Sequence, residues 1–392
     1  MAAESAGRFD ALEAQAERLM GVFARAGYER VAPSFIQPAD VFLDRIGEAL
    51  RNRTYVFTDP DGVELCLRPD LTIPACRIYL ERNPAADAPA RYAYNGPAFR
   101  YQPGGGEPLR PREFRQAGIE NFGQADREEA ETEILALILE AVQLAGLRGF
   151  QIHCGDLGLF SALLEALPIP ERWRQRLLHH FWRPDSFHAV LRRLASRPAE
   201  PADPALAELT ASLDQDDPLI AEQQVATFLD ARGLTMLGAR NIGEITVRLL
   251  SSAADMREQP LSQDVIRLVE DYLTISGPPD RALDAITALV RDAHLDLTAA
   301  IEACHRRQIL MREAGIDTEL MIFDTDFGRG FEYYSGFVFQ LELPGRGVPG
   351  QIAGGGRYDG LLASIGAPQD APTVGSAIHT ERLLAAAGRA PS

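Results

Sequence analysis

Apolar side chains in the first part of the chain recur at steps of three and four: Phe9, Leu12, Ala16, Leu19 and Phe23. That spacing lines one face of a helix, which Gly27 brings to an end. The period then shortens to two. The runs YVFT from Tyr55 and VELCL from Val63, separated by DPDG, predict two short strands around an Asp-Gly turn. RYAYNGPAFRY from Arg91 and REFRQAGIENFG from Arg112 predict a longer antiparallel pair. The Gly/Pro-rich loop between them, Gln102 to Pro111, is expected to be exposed and mobile. A helix is predicted from Glu128 to Ala145, with acidic residues in its first turn, where the helix dipole favours them, and Gly146 just past its end.

FQIHCGD reads as a strand, and residues 157–312 then read as mainly helical, broken at SRPAEPADP and SGPPDR. Strand patterns resume in ELMIFDTD, EYYSGFVFQLEL and AGGGRYDGL, and TVGSAIHTERLLAAA reads as strand into helix. Strands at both ends imply one discontinuous core, 1–156 with 313–392, around an inserted helical segment 157–312. Hairpin-linked strands with helices grouped elsewhere favour an α+β fold on an antiparallel sheet over alternating βαβ units.

Composition narrows the chemistry. With 392 residues, 46% of them hydrophobic, the chain can bury a large core. Its net charge of −17 repels polyanions, so no nucleic-acid partner is expected. All 39 basic residues are arginine. Without lysine there is no Schiff-base chemistry, and no phosphate loop or kinase site built on its usual lysine. Cys66, Cys76, Cys154 and Cys304 lack CxxC spacing, so they read as reduced core residues rather than zinc ligands or a disulfide framework. The remaining histidines, including His179 and His180, have no ligand partners at convincing spacing, so no metal is expected and no cofactor is indicated. No apolar run approaches the roughly 18 residues of a membrane span, and MAAESAGRFD has no basic and apolar leader pattern, so a cytoplasmic location is expected with no membrane partner.

Four strings, in order, carry a family resemblance: LRPDLT (67–72), FRYQPGGGEPLRPREFRQAGIE (99–120), GRGFEYYSGFVF (328–339), and AGGGRYDGL with the downstream TERL (353–383). Together they resemble the catalytic core of class II histidyl-tRNA synthetases. The resemblance implies a site for free histidine. Asp70, Thr72 and Gln116 match the positions that receive the ammonium, Asp70 being one methylene shorter than the usual glutamate. Glu120, Tyr333 and Tyr334 match those that read the imidazole, and Arg329 the one that pairs with the carboxylate. A pocket of this polarity rejects isosteres lacking the ring nitrogens.

On the nucleotide side, Arg100 and Arg382 match the two ATP-binding arginines and read as remnants of that site. Gln102 stands where an acid is expected, and His379 and Thr380 replace the glycine and leucine of the third class II motif. The imidazole falls where a nucleotide ring needs space. The sequence ends ten residues after Arg382, so no anticodon-binding domain is expected. This combination resembles the regulatory subunits of ATP phosphoribosyltransferase, and implies a chain with no catalytic residues and no cofactor. It would bind histidine as effector and partner the short catalytic subunit, as a homodimer within a larger hetero-oligomer, paired through Ala32 to Asp44. A truncated synthetase that activates histidine with ATP is the alternative.

Overall fold

The computed structural model describes residues 5–43, 51–102, 111–197, 203–215, 217–233, 241–328, 333–345 and 350–388. It divides into two compact units, 1–168 with 270–392, and 169–269.

In the first unit, α1 (Ala6–Arg25) buries the predicted stripe, including Leu12, Ala16, Leu19 and Phe23. Gly27 follows with φ +84°, a conformation that other residues adopt at a steric penalty. After β1 (Glu29–Arg30) come β2 (Ile36–Pro38), the short α2 (Asp40–Leu43), β3 (Tyr55–Thr58) and β4 (Glu64–Leu67). β2, β4 and β3 form a small antiparallel sheet, in which β3 and β4 are the expected hairpin. The chain continues as α3 (Thr72–Arg82), β5 (Ala90–Phe99), β6 (Glu113–Phe122), α4 (Arg127–Leu144), β7 (Gln151–Asp156) and α5 (Leu157–Ala166). Asp126 caps α4 by accepting from Glu129 N at 3.1 Å.

The second unit is helical: α6 (Glu171–His180), α7 (Pro184–Leu194), α8 (Pro204–Ser212), α9 (Pro218–Ala231) and α10 (Ile242–Arg257). Leu209, Leu213, Ala221 and Val225 form its own small core. The chain returns to the first unit within α11 (Gln263–Leu273), then forms β8 (Ser276–Gly277), α12 (Pro279–Asp292), α13 (Thr298–Glu313), β9 (Met321–Asp324), β10 (Phe337–Glu342), β11 (Gln351–Arg357), α14 (Leu361–Ser364), β12 (Thr373–His379) and α15 (Thr380–Ala387).

The main sheet has the order β1-β5-β6-β12-β11-β10-β7-β9-β8. From β5 to β7 every pair is antiparallel, as expected for a discontinuous core built from both ends of the chain. The edges add parallel pairs, β1 with β5 and β7 with β9, which the sequence pattern did not indicate.

The compact helical unit is narrower than the 157–312 segment expected from sequence. α5 buries Leu157, Leu159, Phe160, Leu163 and Leu164, and Phe160 stacks on Tyr272 at 5.8 Å. α13 sends Arg307 to Asp156 and Glu131. Helical periodicity reveals which face of a helix is apolar but not which surface will cover it. The expected 102–111 loop falls almost entirely outside the described residues.

Candidate functional site

Side chains two apart in a strand share a face, and one face of the main sheet is unusually bare along a single row. Gly118 in β6 lies opposite Tyr94 in β5 and Ala377 in β12. Ala377 pairs with Gly354 in β11, and Gly354 with Gln340 in β10. Over this row of small residues is a cavity of about 380 Å³, whose wall includes Arg53, Asp70, Thr72, Arg100, Gln116 and His379 together with Phe327, Gly328, Tyr333, Tyr334, Gln340 and Tyr358. Its size suits a small metabolite.

The wall is polar and incompletely paired. Asp70 precedes α3, and its Oδ1 accepts from Ile73 N at 3.3 Å while its buried Oδ2 has no hydrogen-bond partner among the described residues. Burial pushes the Asp70 carboxyl above its ordinary range, opposed by the Arg100 guanidinium. Gln116 likewise keeps a buried Oε1 without a partner among the described residues. Buried polar atoms are normally satisfied, so two unpaired acceptors in one cavity wall are what a donor-bearing ligand would complete. Thr72 Oγ1 is 3.4 Å from the Tyr94 hydroxyl, and Tyr333, Tyr334 and Tyr358 cluster with ring centroids 4.7 to 6.3 Å apart.

Glu120 lies behind this wall, not in it. It is fully buried, with the Tyr94 hydroxyl donating to Oε1 at 2.8 Å and the Tyr358 hydroxyl donating to Oε2. Gly375 makes room for it, since a Cβ there would overlap the carboxylate. Burial pushes the Glu120 carboxyl up to about 7, against the pull of the two phenols. Glu120 therefore meets the cavity wall directly through Tyr358 and, through Tyr94, at Thr72.

Of the sequence-identified residues, Asp70, Thr72, Gln116, Tyr333, Tyr334 and Arg100 come together around the cavity. Arg100 Nε donates to Pro69 O at 2.8 Å, and its guanidinium stands 4.9 Å from the Phe114 ring centroid. Arg382 stays outside the wall, donating from Nη1 to the Gln351 backbone oxygen at 3.0 Å. The His379 ring packs on Phe114 at 5.3 Å. Arg329 lies outside the described residues.

Sequence reasoning passed over Tyr358, Gln340 and Arg53 as site residues. Tyr358 belongs to the AGGGRYDGL string, and Gln340 is the one polar residue inside the apolar run FVFQL. Arg53 carried no local signal. The four cysteines are free and buried, and among the described residues no three His, Cys, Asp or Glu side chains gather to hold a metal ion. Nor is any described helix long and apolar enough to cross a membrane.

The fold and this cavity define a class II synthetase core of the histidine type. The histidyl-tRNA synthetase family profile matches residues 6–235 and 247–383. Solved structures agree on the fold. An ATP phosphoribosyltransferase regulatory subunit/histidyl-tRNA synthetase from Bacillus halodurans C superposes with a TM-score of 0.69 at 18% identity, covering 99% of this chain and 82% of that one. A histidine–tRNA ligase subunit from Alicyclobacillus acidocaldarius gives 0.58 at 24% identity, covering 98% and 95%. Within that fold, the chain belongs to the family of ATP phosphoribosyltransferase regulatory subunits: it is 36% identical to the one from Brucella anthropi over 91% of this chain and 92% of that one, and 36% identical to the one from Brucella ovis over 92% and 93%.

Proposed function

We propose that this chain is a non-catalytic, cytoplasmic regulatory subunit that binds free histidine in the cavity and partners the short catalytic subunit of ATP phosphoribosyltransferase. The catalytic chain requires it for activity, and bound histidine shifts the complex toward an inhibited arrangement by binding that arrangement more tightly. The observation that carries the reading is the pair of unpartnered acceptors, Asp70 Oδ2 and Gln116 Oε1, in a cavity lined by three tyrosines. Acceptors suit the ammonium and the ring N–H, while phenols can donate or accept at the imidazole. Arg329 is the proposed carboxylate partner. Glu120 acts by fixing the Tyr94 and Tyr358 hydroxyls.

The nucleotide half supports a binding role over adenylation. His379, which the resemblance puts where a nucleotide ring needs space, is packed on Phe114, and Arg382 is turned to the Gln351 backbone. Retained Arg100 beside the cavity is the feature that favours the alternative, a truncated synthetase activating histidine with ATP. Pairing of two copies through the small sheet is supported by the exposed apolar side chains Ile36 and Phe57 on one of its faces, with Phe35 and Val63 exposed beside its strands.

Calorimetric titration of the purified chain with histidine and, separately, with ATP tests the reading. Histidine binding, lost on Gln116→Ala and weakened on Tyr334→Phe, with no ATP binding and no histidine-dependent pyrophosphate exchange, is expected. ATP binding with such exchange would establish the enzyme instead.

A further inference from the structure

Gln340 stands in the cavity wall at the end of the small-residue row, and its side chain is not free to choose which end of its amide it shows. Its Nε2 lies 3.0 Å from Glu342 Oε2, a carboxylate oxygen that accepts hydrogen bonds, so the NH₂ group is held there and the amide oxygen takes the opposite direction. Glu342 is itself fixed. Its Oε1 lies 3.2 Å from His153 Nε2, and His153 Nδ1 lies 3.2 Å from Asp324 Oδ2. Asp324 Oδ1 in turn accepts from the Ser276 hydroxyl at the far edge of the sheet. These residues sit on β10, β7, β9 and β8, adjacent strands in the order of the sheet, so the chain of contacts is built on rigid backbone. The Gln340 amide oxygen has no hydrogen-bond partner among the described residues.

We propose that Gln340 is a specificity-determining residue of this cavity, presenting its amide oxygen to an N–H of the bound ligand, and that Glu342 and His153 are positioning residues that hold the amide in that orientation. The proposal rests on the histidine reading above and adds to it a residue that the sequence resemblance did not assign. The N–H can belong to the ammonium or to the imidazole ring. The row Gly118–Ala377–Gly354 lies between Gln340 on β10 and Gln116, which is on β6 two residues from Gly118, so the Gln340 oxygen addresses a different edge of the ligand from Gln116. An acceptor fixed in place and left unpaired when the matching donor is missing discriminates against analogues lacking that donor more than it strengthens binding of the right one.

The test is calorimetry on the full chain with histidine, the two ring-N-methylhistidines and imidazolepropionate, which lacks the amine, using wild type, Gln340→Leu, Glu342→Gln and the double variant, with thermal melting to check folding. Histidine is expected to bind Gln340→Leu about tenfold more weakly, the size of one net hydrogen bond. The gap between histidine and one class of analogue should shrink in that variant: a ring-methylated one if Gln340 takes the ring N–H, imidazolepropionate if it takes the ammonium. Glu342→Gln should reproduce part of the loss, and the double variant should lose no more than Gln340→Leu alone. Unchanged histidine affinity, or an equal loss for histidine and every analogue, overturns the proposal and leaves the histidine site standing. Absence of histidine binding by the wild type overturns both.

Discussion

Glu120 shows how much a single residue's role depends on what surrounds it. Its spacing of four from Gln116 in a strand puts both on one face, which the sequence makes plain, yet Gln116 reaches the cavity and Glu120 does not. Two phenols and a missing Cβ at Gly375 turn its carboxylate into a support for hydroxyl groups. Its protonation then becomes a stability signal. The folded-state value is raised from 4.5 to about 7, so its contribution to folding is fully present below the ordinary carboxylate range and is lost as pH rises through 7. The difference amounts to about 3 kcal/mol. Glu120→Gln, which mimics the protonated form, should therefore gain melting temperature relative to wild type as pH is raised from 5 to 8. A difference that stays constant across that range would show that Glu120 does not titrate there.

Between elements, a buried network of charged side chains ties two helices to the sheet. Glu131 on α4 receives Arg307 Nη1 of α13 at 2.8 Å and Arg357 Nε of β11 at 2.5 Å. Arg307 Nη2 also reaches Asp156 Oδ2 at 2.5 Å, and Arg357 Nη1 reaches Asp359 at 2.9 Å. The side chains of Glu131, Arg307, Asp156 and Arg357 are 7% exposed or less, so removing one member strands a charge out of water. Glu131→Ala should destabilise the protein by about 3–5 kcal/mol in urea unfolding, whereas loss of the exposed Arg25–Glu140 pair should change it by less than about 1 kcal/mol. Equal effects would refute the assignment of Glu131 as a structural hub. Arg357 and Asp359 flank Tyr358, so the same network anchors one tyrosine of the cavity wall.

At the scale of the whole molecule, the small sheet displays Ile36 and Phe57 on one face, and Phe35 and Val63 beside its strands, with Phe35, Ile36 and Val63 about half exposed. A patch of this kind on a chain carrying net charge −17 calls for cover, since the charge alone would hold copies apart. Ile36→Asp combined with Phe57→Asp is expected to halve the sedimenting mass of the isolated chain while leaving histidine titration intact. A wild-type chain that already sediments as a monomer would remove the second copy from the proposed assembly.

What the sequence determined by itself is local and periodic. The opening helix, the Asp-Gly hairpin, the long strand pair, the capped α4 and the glycine-rich strand all follow from short-range chemistry, because side-chain period and turn residues act within a few positions. The motif strings also located part of the cavity wall: Asp70, Thr72, Gln116, Tyr333, Tyr334 and Arg100. Tertiary structure decided the rest. It alone set the parallel edges of the sheet, assigned α5, α12 and α13 to the sheet unit, buried Glu120 behind two tyrosines and oriented Gln340 through a carboxylate and a histidine from other strands. Each of these depends on which distant segments share a face or a hydrogen bond. The pattern of any one segment records that it has an apolar side, but leaves open which partner covers it.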